Sequence, residues 1–307
     1  MNNQPQKTVI IIAGPTAVGK TSIAIQLAKI LSTSIISADS RQCYHEMNIG
    51  TACPTKEEMN GVKHYFIQEK SIVENISAAD YEMFALKYLN EIFQKNDVAI
   101  VCGGTGLYLK ALTDGLDEMP KIDVKIDKDV NQFYQEKGMK WLQETIKEED
   151  REFYEQGEIQ NPARLIRALV FKRSTGVSIN HYKTGKRKKR NFKIIKVALL
   201  LPRNILYERI NQRVEDMMQH GLLEEVNYLL PYKQLKNLQT VGYTELFDFL
   251  DGQCSLKEAI DKIKQRTRNY AKRQLTWFKK DETYHWLEAD ESAIEKALQL
   301  LNSNPNL

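Results

Sequence analysis

The sequence predicts an α/β fold in which helices flank a parallel sheet and a mostly helical segment interrupts it. Short β-branched apolar runs, typical of buried parallel strands, lie at 8–13, 34–38, 97–102 and 193–201. Apolar residues at helical spacing over 22–31 complete a strand, loop, helix and strand unit. From about 117 to 185 the sequence is charged and favours helix, with little β-branched content.

These elements predict two domains. A core of 1–116 and 191–307 is interrupted by an insertion domain at 117–190, with helical segments at 130–149 and 162–173. Further helical stretches are expected at 205–230, 256–280 and 291–301.

Composition narrows the class of protein. The chain has 307 residues, of which 42% are hydrophobic and 27% charged, so a folded globular protein is expected rather than a disordered or fibrous one. No membrane-length apolar stretch or signal peptide is evident, and the four cysteines form no Cys-x-x-Cys pair. We therefore expect a cytoplasmic protein without a zinc site or disulfide framework.

Charge is unevenly distributed. Residues 1–120 carry 10 basic and 13 acidic side chains, whereas 121–307 carry 34 and 27. The excess of basic residues in 121–307 fits either an acidic partner or an ordinary solvated surface, and the charge counts do not decide between them.

A phosphate-binding loop follows the first predicted strand and precedes the first helix. The sequence 14–21, GPTAVGKT, matches G-x-x-x-x-G-K-[ST], whose backbone N–H groups cradle phosphate. Lys20 is expected to neutralise charge, and the Thr21 hydroxyl to help hold Mg²⁺. The residues predicted to bind the phosphates are Gly14, Thr16, Ala17, Val18, Gly19, Lys20 and Thr21.

Two further loops are predicted at the same edge of the sheet. Asp39 to Tyr44 follow the second strand, and Gly103 to Tyr108 follow the third. Because carboxyl ends of parallel strands share one edge, these loops converge on the phosphate loop. Asp39 could serve there as a general base or as a Mg²⁺ ligand in a kinase-like site.

Together these segments resemble the tRNA dimethylallyltransferase (isopentenyltransferase) family over nearly the whole chain. The segments that carry the resemblance are GPTAVGKT at 14–21, DSRQCY at 39–44, IGTACP at 49–54, SAADY at 77–81, GGTGLY at 103–108, Arg164 with RAL at 167–169, RINQRV at 209–214 and TRNYAKRQLTWF at 267–278. The sequence departs from the family at Cys53, where lysine is typical, so a phosphate contact from that position is not part of the prediction.

The resemblance implies a P-loop NTPase-like fold and a specific reaction. A dimethylallyl group moves from dimethylallyl diphosphate to N6 of the adenosine 3′ of the anticodon in tRNA, with Mg²⁺ and with the base flipped out. The implied catalytic residues are Asp39, Thr105, Arg209 and Arg213. The implied tRNA-binding residues are Asp39, Ser40, Arg41, Gln42, Thr105, Gln160, Arg164, Arg167, Arg268, Lys272 and Arg273. A monomer that does not contact membranes is expected.

Elementary chemistry is consistent with this reaction. The adenine N6 amine is a poor nucleophile, so a carboxylate such as Asp39 assists by accepting its proton. A departing diphosphate needs a cradle of positive groups, which Lys20 and Arg209 or Arg213 would supply. The sequence leaves open which of the two arginines contacts the diphosphate, and both could instead pair with Glu208 or Glu215.

Other functions remain open on the sequence alone. They are an isopentenyltransferase acting on free adenine nucleotides, a P-loop small-molecule kinase and an RNA-binding protein with an inactive phosphate loop. The stretch 262–280 has eight basic residues and no acidic one, which favours contact with RNA phosphates, while its Tyr270 and Trp277 are expected in the core. The basic run 186–190 is either an RNA contact or a solvated loop.

Overall fold

The computed structural model describes residues 6–302, and within that range six strands form a single sheet. The strands are β1 Thr8–Ala13, β2 Ile35–Ser37, β3 His64–Tyr65, β4 Val98–Gly103, β5 Lys193–Leu200 and β6 Tyr284–Glu288. Their order across the sheet is β3-β2-β4-β1-β5-β6, and every neighbouring pair is parallel. The predicted parallel sheet is confirmed.

The helices of the described range are numbered in chain order. They are α1 Lys20–Ile30, α2 Lys56–Met59, α3 Ala78–Phe93, α4 Gly106–Asp114, α5 Val124–Glu149, α6 Arg151–Gln156, α7 Pro162–Thr175, α8 Arg203–Gln219, α9 Leu222–Tyr228, α10 Tyr243–Leu250, α11 Leu256–Phe278 and α12 Ser292–Asn302.

The central strand β1 is buried on both faces because helices cover each side of the sheet. Successive side chains of a strand point to opposite faces. Val9 and Ile11 accordingly pack with residues of α3, α4 and α10, whereas Ile10 and Ile12 pack with residues of α1, α8 and α12. This three-layer arrangement is the P-loop NTPase-like fold that the sequence predicts.

The chain divides into two compact units. One comprises the residues up to Thr113 together with those from Lys189 onward, and the other is Asp114–Lys188. The boundaries predicted from the sequence are 116/117 and 190/191. The second unit is built from α5, α6 and α7 around an apolar cluster that includes Leu142 and Leu165.

Some elements differ from the sequence-based expectations. The single helical stretch expected over 205–230 is wrong, because Gly221 has φ 96° and separates α8 from α9. The short strands β3 and β6 and the helices α3 and α10 were not predicted, although α3 begins with a capping box of Ser77 and Asp80. None of the helices in the described range is long and apolar enough to cross a membrane.

Candidate active site

The phosphate loop lies between β1 and α1, as the motif requires. Three of its residues have positive φ: Gly14 at 147°, Ala17 at 62° and Gly19 at 104°. The N–H groups of Ala17 and Gly19 form no hydrogen bond within residues 6–302. Alternating backbone conformations of this kind form a concave nest of N–H groups that binds anions. The loop is thus shaped for phosphate oxygens.

Lys20 is the half-buried cation of this loop. Its Nζ donates to the carbonyl oxygen of Pro15 at 2.8 Å. Burial lowers the pKa of Lys20 to about 8, with Arg213 adding to the decrease, while Cys102 and Asp39 act in the opposite direction. A desolvated ammonium close to free N–H groups favours binding of a multiply charged anion, which would restore its lost solvation.

Asp39 lies at the carboxyl end of β2 and lines the same cavity as Lys20 and Thr21. Its Oδ1 accepts hydrogen bonds from the backbone N–H groups of Arg41 at 2.8 Å and Gln42 at 3.3 Å. Within residues 6–302, Oδ2 accepts none. One oxygen therefore fixes the orientation of the carboxylate and the other is available to a substrate.

Thr105 lies next to Asp39 but is not among the residues that line the cavity. Its backbone N–H donates to Ala38, and its Oγ1 accepts from the N–H of Ser40 at 3.1 Å. The two loops at the ends of β2 and β4 are therefore held together here. Their close approach requires glycine at position 103, where a Cβ would collide with the backbone of Ala38.

The two candidate arginines differ in their surroundings. Arg213 is half-buried, its Nη1 donates to Thr16 Oγ1 at 3.3 Å, and it lines the cavity that contains Asp39. Arg209 is exposed beside Gly19 in a second cavity of about 280 Å³ around the phosphate loop, to which Arg213 also belongs. Neither arginine forms an ion pair in the described part of the chain, and Glu215 pairs with Lys264 instead.

The main cavity has a volume of about 300 Å³ and is lined by both charged and apolar residues. Thr16, Lys20 and Arg213 contribute polar groups. The facing sides of α8 and α11 contribute apolar residues that the sequence did not mark individually as functional: Ile210, Val214, Met217 and Ile263. Val241, which precedes α10, also lines the cavity. A small amphiphile with a charged head and a short apolar tail would match this lining.

Two residues of α11 that were not assigned to the site also line this cavity. Tyr270 contacts the Thr105 side chain, and burial, followed by the charge of Asp39, raises the pKa of Tyr270 to about 12. Gln274 is buried and bonds to both Thr16 and Gly104. Both residues belong to the segment 267–278, so the resemblance marked them, but no local pattern distinguished them from other helix residues.

A carboxylate outside the cavity holds one of its walls. Glu225 accepts hydrogen bonds from the consecutive N–H groups of 48–50 at 2.8–3.0 Å, and from the hydroxyl of buried Tyr243 at 2.7 Å. Gly50 packs so closely on Tyr243 that a Cβ there would collide with the ring. The adjoining Thr51 lines the cavity, and the Gln42 side chain donates to its carbonyl at 3.2 Å.

The expected RNA-binding face of α11 is only partly free. Lys272 and Arg273 are exposed, whereas Arg268 donates to Asn211 at 2.6 Å. Other basic residues of this helix are paired within the fold: Arg266 pairs with buried Glu245 at 2.8 Å. Lys264 likewise pairs with an acidic residue of α8.

Two smaller expectations about basic and aromatic residues are also corrected. Trp277 is 41% exposed rather than part of the core, although its indole packs on Gly106, where a Cβ would collide with the ring. Arg190, the last residue of the basic run, pairs with Glu82 at 2.7 Å where both side chains are 10% exposed. That arginine is therefore occupied within the fold and does not extend to a partner.

In the insertion unit, the three residues expected near RNA share one surface. Gln160 precedes the N-cap of α7, and Arg164 and Arg167 lie one helical turn apart on it, all three exposed. Arg164 pairs with Glu158. Lys183 is close to both arginines, since burial and then these two charges lower its pKa. The surface is therefore locally positive.

The residues present fit a magnesium ion held mainly by a substrate. The described residues contain no cluster of three or more acidic, histidine or cysteine side chains that could form an all-protein site. Mg²⁺ in phosphate sites commonly takes one or two protein oxygens and completes its shell with phosphate oxygens and water. Thr21 lines both cavities, and its hydroxyl would supply one such oxygen.

Comparisons with known proteins identify the family. A family model described as IPP transferase matches residues 42–281. A tRNA dimethylallyltransferase of Christiangramia forsetii is 48% identical over 285 residues, covering 93% of this chain and 94% of that protein, and one of Cytophaga hutchinsonii is 43% identical over 93% and 94%.

Solved structures give the same result. The full-length tRNA isopentenylpyrophosphate transferase of Bacillus halodurans is 34% identical with a TM-score of 0.70, covering 97% of this chain and 95% of that one. A eukaryotic dimethylallyltransferase, described as acting on tRNA, has a TM-score of 0.79 over 97% and 80% of the two chains, but at 24% identity it shows the fold alone. The chain therefore belongs to the IPP transferase family.

Proposed function

We propose that this enzyme transfers a dimethylallyl group from dimethylallyl diphosphate to N6 of the adenosine 3′ of the anticodon in tRNA, releasing diphosphate. The single observation that carries the proposal is that Asp39 and the cationic phosphate loop face one cavity. The names of the bacterial relatives, tRNA dimethylallyltransferase, support the same reaction.

The donor fits the mixed lining of charged and apolar residues in the cavity. Its diphosphate would occupy the end formed by the free N–H groups of the loop, Lys20 and Arg213, and its five-carbon chain the apolar part between α8 and α11. As the bond between C1 and the bridging oxygen breaks, negative charge accumulates on the diphosphate, and these fixed cations stabilise it. Mg²⁺ held at Thr21 would neutralise further charge on the leaving group.

The acceptor reaction needs a base at the other side of C1. The N6 nitrogen forms a bond to C1 while the C1–oxygen bond breaks, and the extra N6 proton passes to Asp39 Oδ2. The hydrogen bonds to Oδ1 support this role, because they fix the carboxylate without occupying its second oxygen. The products are prenylated adenosine, diphosphate and one proton.

Recognition of tRNA is proposed for two basic surfaces. Lys272 and Arg273 are exposed on α11, the helix whose Tyr270 lines the cavity. Arg164 and Arg167 are exposed on the insertion unit, next to Gln160. Lysine and arginine contacts to phosphates position an RNA, and single-stranded loops allow a base to be flipped into a pocket.

A direct assay distinguishes this proposal from its rivals. The enzyme is incubated with Mg²⁺ and dimethylallyl diphosphate labelled in the prenyl group, with unmodified tRNA or AMP as acceptor. We expect label in tRNA at N6 of the adenosine 3′ of the anticodon, and none in AMP. Label in AMP alone would instead indicate a free-nucleotide isopentenyltransferase.

Two further outcomes of the same assay would contradict the proposal. Consumption of ATP without prenyl transfer would indicate a small-molecule kinase. Binding of tRNA without transfer from the donor would indicate an RNA-binding protein. The matched control is tRNA in which the target adenosine is replaced by guanosine, because it retains the phosphate backbone but lacks the N6 amine. We expect this control to bind and to remain unlabelled.

A further inference from the structure

Gln274 connects two loops that are distant in the sequence. Its Oε1 accepts a hydrogen bond from the backbone N–H of Thr16 at 2.8 Å, and its Nε2 donates to the carbonyl oxygen of Gly104 at 2.9 Å. Thr16 belongs to the phosphate loop after β1, and Gly104 to the loop after β4. The side chain is only 6% exposed; its bond to Gly104 is buried and its bond to Thr16 is partly buried.

The surrounding backbone is shaped to accept this amide. A Cβ at position 104 would collide with the Gln274 amide, so glycine allows the amide to reach the backbone. A buried amide needs partners for its donor and its acceptor, and Gln274 has one for each. Rotation of the amide by 180° would bring a donor to the Thr16 N–H and an acceptor to the Gly104 carbonyl. The contact therefore fixes one orientation.

The contact also determines which groups of the phosphate loop are free. The Thr16 N–H is directed to Gln274, whereas those of Ala17 and Gly19 stay available to an anion. The Thr16 hydroxyl in turn accepts a hydrogen bond from Arg213. Gln274 thus fixes the backbone of Thr16. Through Thr16 it also fixes the hydroxyl that accepts the hydrogen bond of Arg213.

The second bonding partner of Gln274, Gly104, connects it to the loop of Asp39, the proposed general base. Gly104 is followed by Thr105, whose hydroxyl oxygen accepts a hydrogen bond from Ser40, the residue after Asp39. The diphosphate cradle and the proton acceptor belong to different strand ends, and their separation must match the distance between the leaving oxygens and N6. A side chain bonded to both loops constrains that separation.

We infer that Gln274 is a positioning residue that holds the phosphate loop and the 103–106 loop in the relative arrangement needed for diphosphate binding and prenyl transfer. The inference rests on the proposed function for its catalytic part. Its binding part does not, because inorganic diphosphate can be tested without any reaction. Gln274 does this by bridging, without itself contacting the atoms that react.

The first test replaces Gln274 by leucine, which has a similar volume and no polar group. We expect the affinity for inorganic diphosphate, measured by calorimetry with Mg²⁺, to fall about 10- to 100-fold, because one buried and one partly buried backbone group lose their partner. The KM for dimethylallyl diphosphate should rise by a similar factor and kcat should fall, while the KM for tRNA stays within about twofold. Gln265→Leu is the matched control, since Gln265 is exposed on the same helix.

A second test uses the contact with Gly104. Gly104→Ala should displace the amide and reproduce the loss of diphosphate affinity, although Gln274 is still present. In the double variant Gly104→Ala with Gln274→Ala, the smaller side chain at 274 leaves room for the new methyl group. We expect Gly104→Ala to cause little further loss of diphosphate affinity there, since both changes remove the same bridge. The double variant should therefore bind diphosphate about as weakly as the weaker of the two single variants.

Three results would overturn the inference. The first is unchanged diphosphate affinity in Gln274→Leu. The second is multiplication of the two single losses in the double variant, which would mean that the residues act independently. The third is an equal loss in every parameter, including the KM for tRNA, together with a lower melting temperature, which indicates a merely structural residue. Failure of the wild-type enzyme to transfer label would refute the proposed function separately.

Discussion

Lys20 should lose its proton in a pH range where most lysines keep theirs, and the efficiency of donor use should fall with it. Burial lowers the pKa of Lys20 to about 8. The group is therefore protonated below that pH and neutral above it. In the neutral form it contributes no charge to the diphosphate cradle, so donor binding and departure of the leaving group both weaken.

The size of the effect follows from the pKa. About nine-tenths of the Lys20 side chains carry a charge at pH 7 and about one-tenth at pH 9, so kcat/KM for dimethylallyl diphosphate should fall about tenfold between these values. The kcat at saturating donor should change less over the same range. Bound diphosphate favours the charged ammonium and raises its pKa in the complex.

The assay is prenyl transfer to tRNA from pH 6.5 to 9, at saturating tRNA and low donor concentration. Lys20→Arg is the matched control, because a guanidinium stays charged throughout this range even if its size lowers the absolute efficiency. Its kcat/KM should not show the decline. A constant wild-type kcat/KM between pH 7 and 9, or an equal decline in Lys20→Arg, would refute the assignment of this pKa to Lys20.

Three further predictions concern other parts of the enzyme. In steady-state kinetics, Arg213→Leu should raise the KM for dimethylallyl diphosphate about 100-fold, and Arg209→Leu less than about 10-fold. The reason is that Arg213 is half-buried beside Asp39, whereas Arg209 is exposed. A larger effect of Arg209→Leu would contradict this. Tyr243→Phe should lower the free energy of unfolding by about 2 kcal/mol in urea denaturation, since it removes a hydrogen bond to a carboxylate, and an unchanged value would argue against that bond. Replacing Lys272 and Arg273 together by alanine should reduce the slope of log K against log salt for tRNA binding by roughly 1 to 2, and an unchanged slope would remove these residues from the RNA surface.

The phosphate loop and the strands β1, β2, β4 and β5 could be predicted because their signals are local. An eight-residue motif between a β-branched run and an amphipathic helix requires a strand, loop and helix, and β1 and α1 lie there. The position of Asp39 followed for the same reason, since a residue directly after a parallel strand must lie at the carboxyl edge of the sheet. The structure adds that one oxygen of this carboxylate is held and the other is free.

The apolar half of the cavity could not be predicted in this way. It lies between α8 and α11, which are separated by more than 30 residues, and Met217 or Ile263 resembles any core residue of an amphipathic helix. Gln274 is similar: a glutamine near a helix end has no distinctive pattern, and its two bonding partners are 258 and 170 residues away. Such roles depend on long-range packing.

The basic character of α11 shows a related limit. The eight basic residues of 262–280, with no acidic residue among them, favoured contact with RNA phosphates. Tertiary packing instead brings Glu215 and Glu245 against Lys264 and Arg266. Net charge of a segment therefore overestimates the surface left for RNA, and the exposed pair at 272 and 273 is a smaller candidate interface than the sequence indicated.

The most direct test of the central claim is the single-turnover rate of Asp39→Asn. Asparagine keeps an oxygen that accepts from the N–H groups of Arg41 and Gln42, but it cannot take a proton from N6. With both substrates prebound, we expect the rate of prenyl transfer to fall about 10²- to 10⁴-fold while the Kd values for tRNA and diphosphate stay within about twofold. An unchanged rate, or a loss of binding as large as the loss of rate, would contradict the role of Asp39 as the proton acceptor beside the diphosphate cradle.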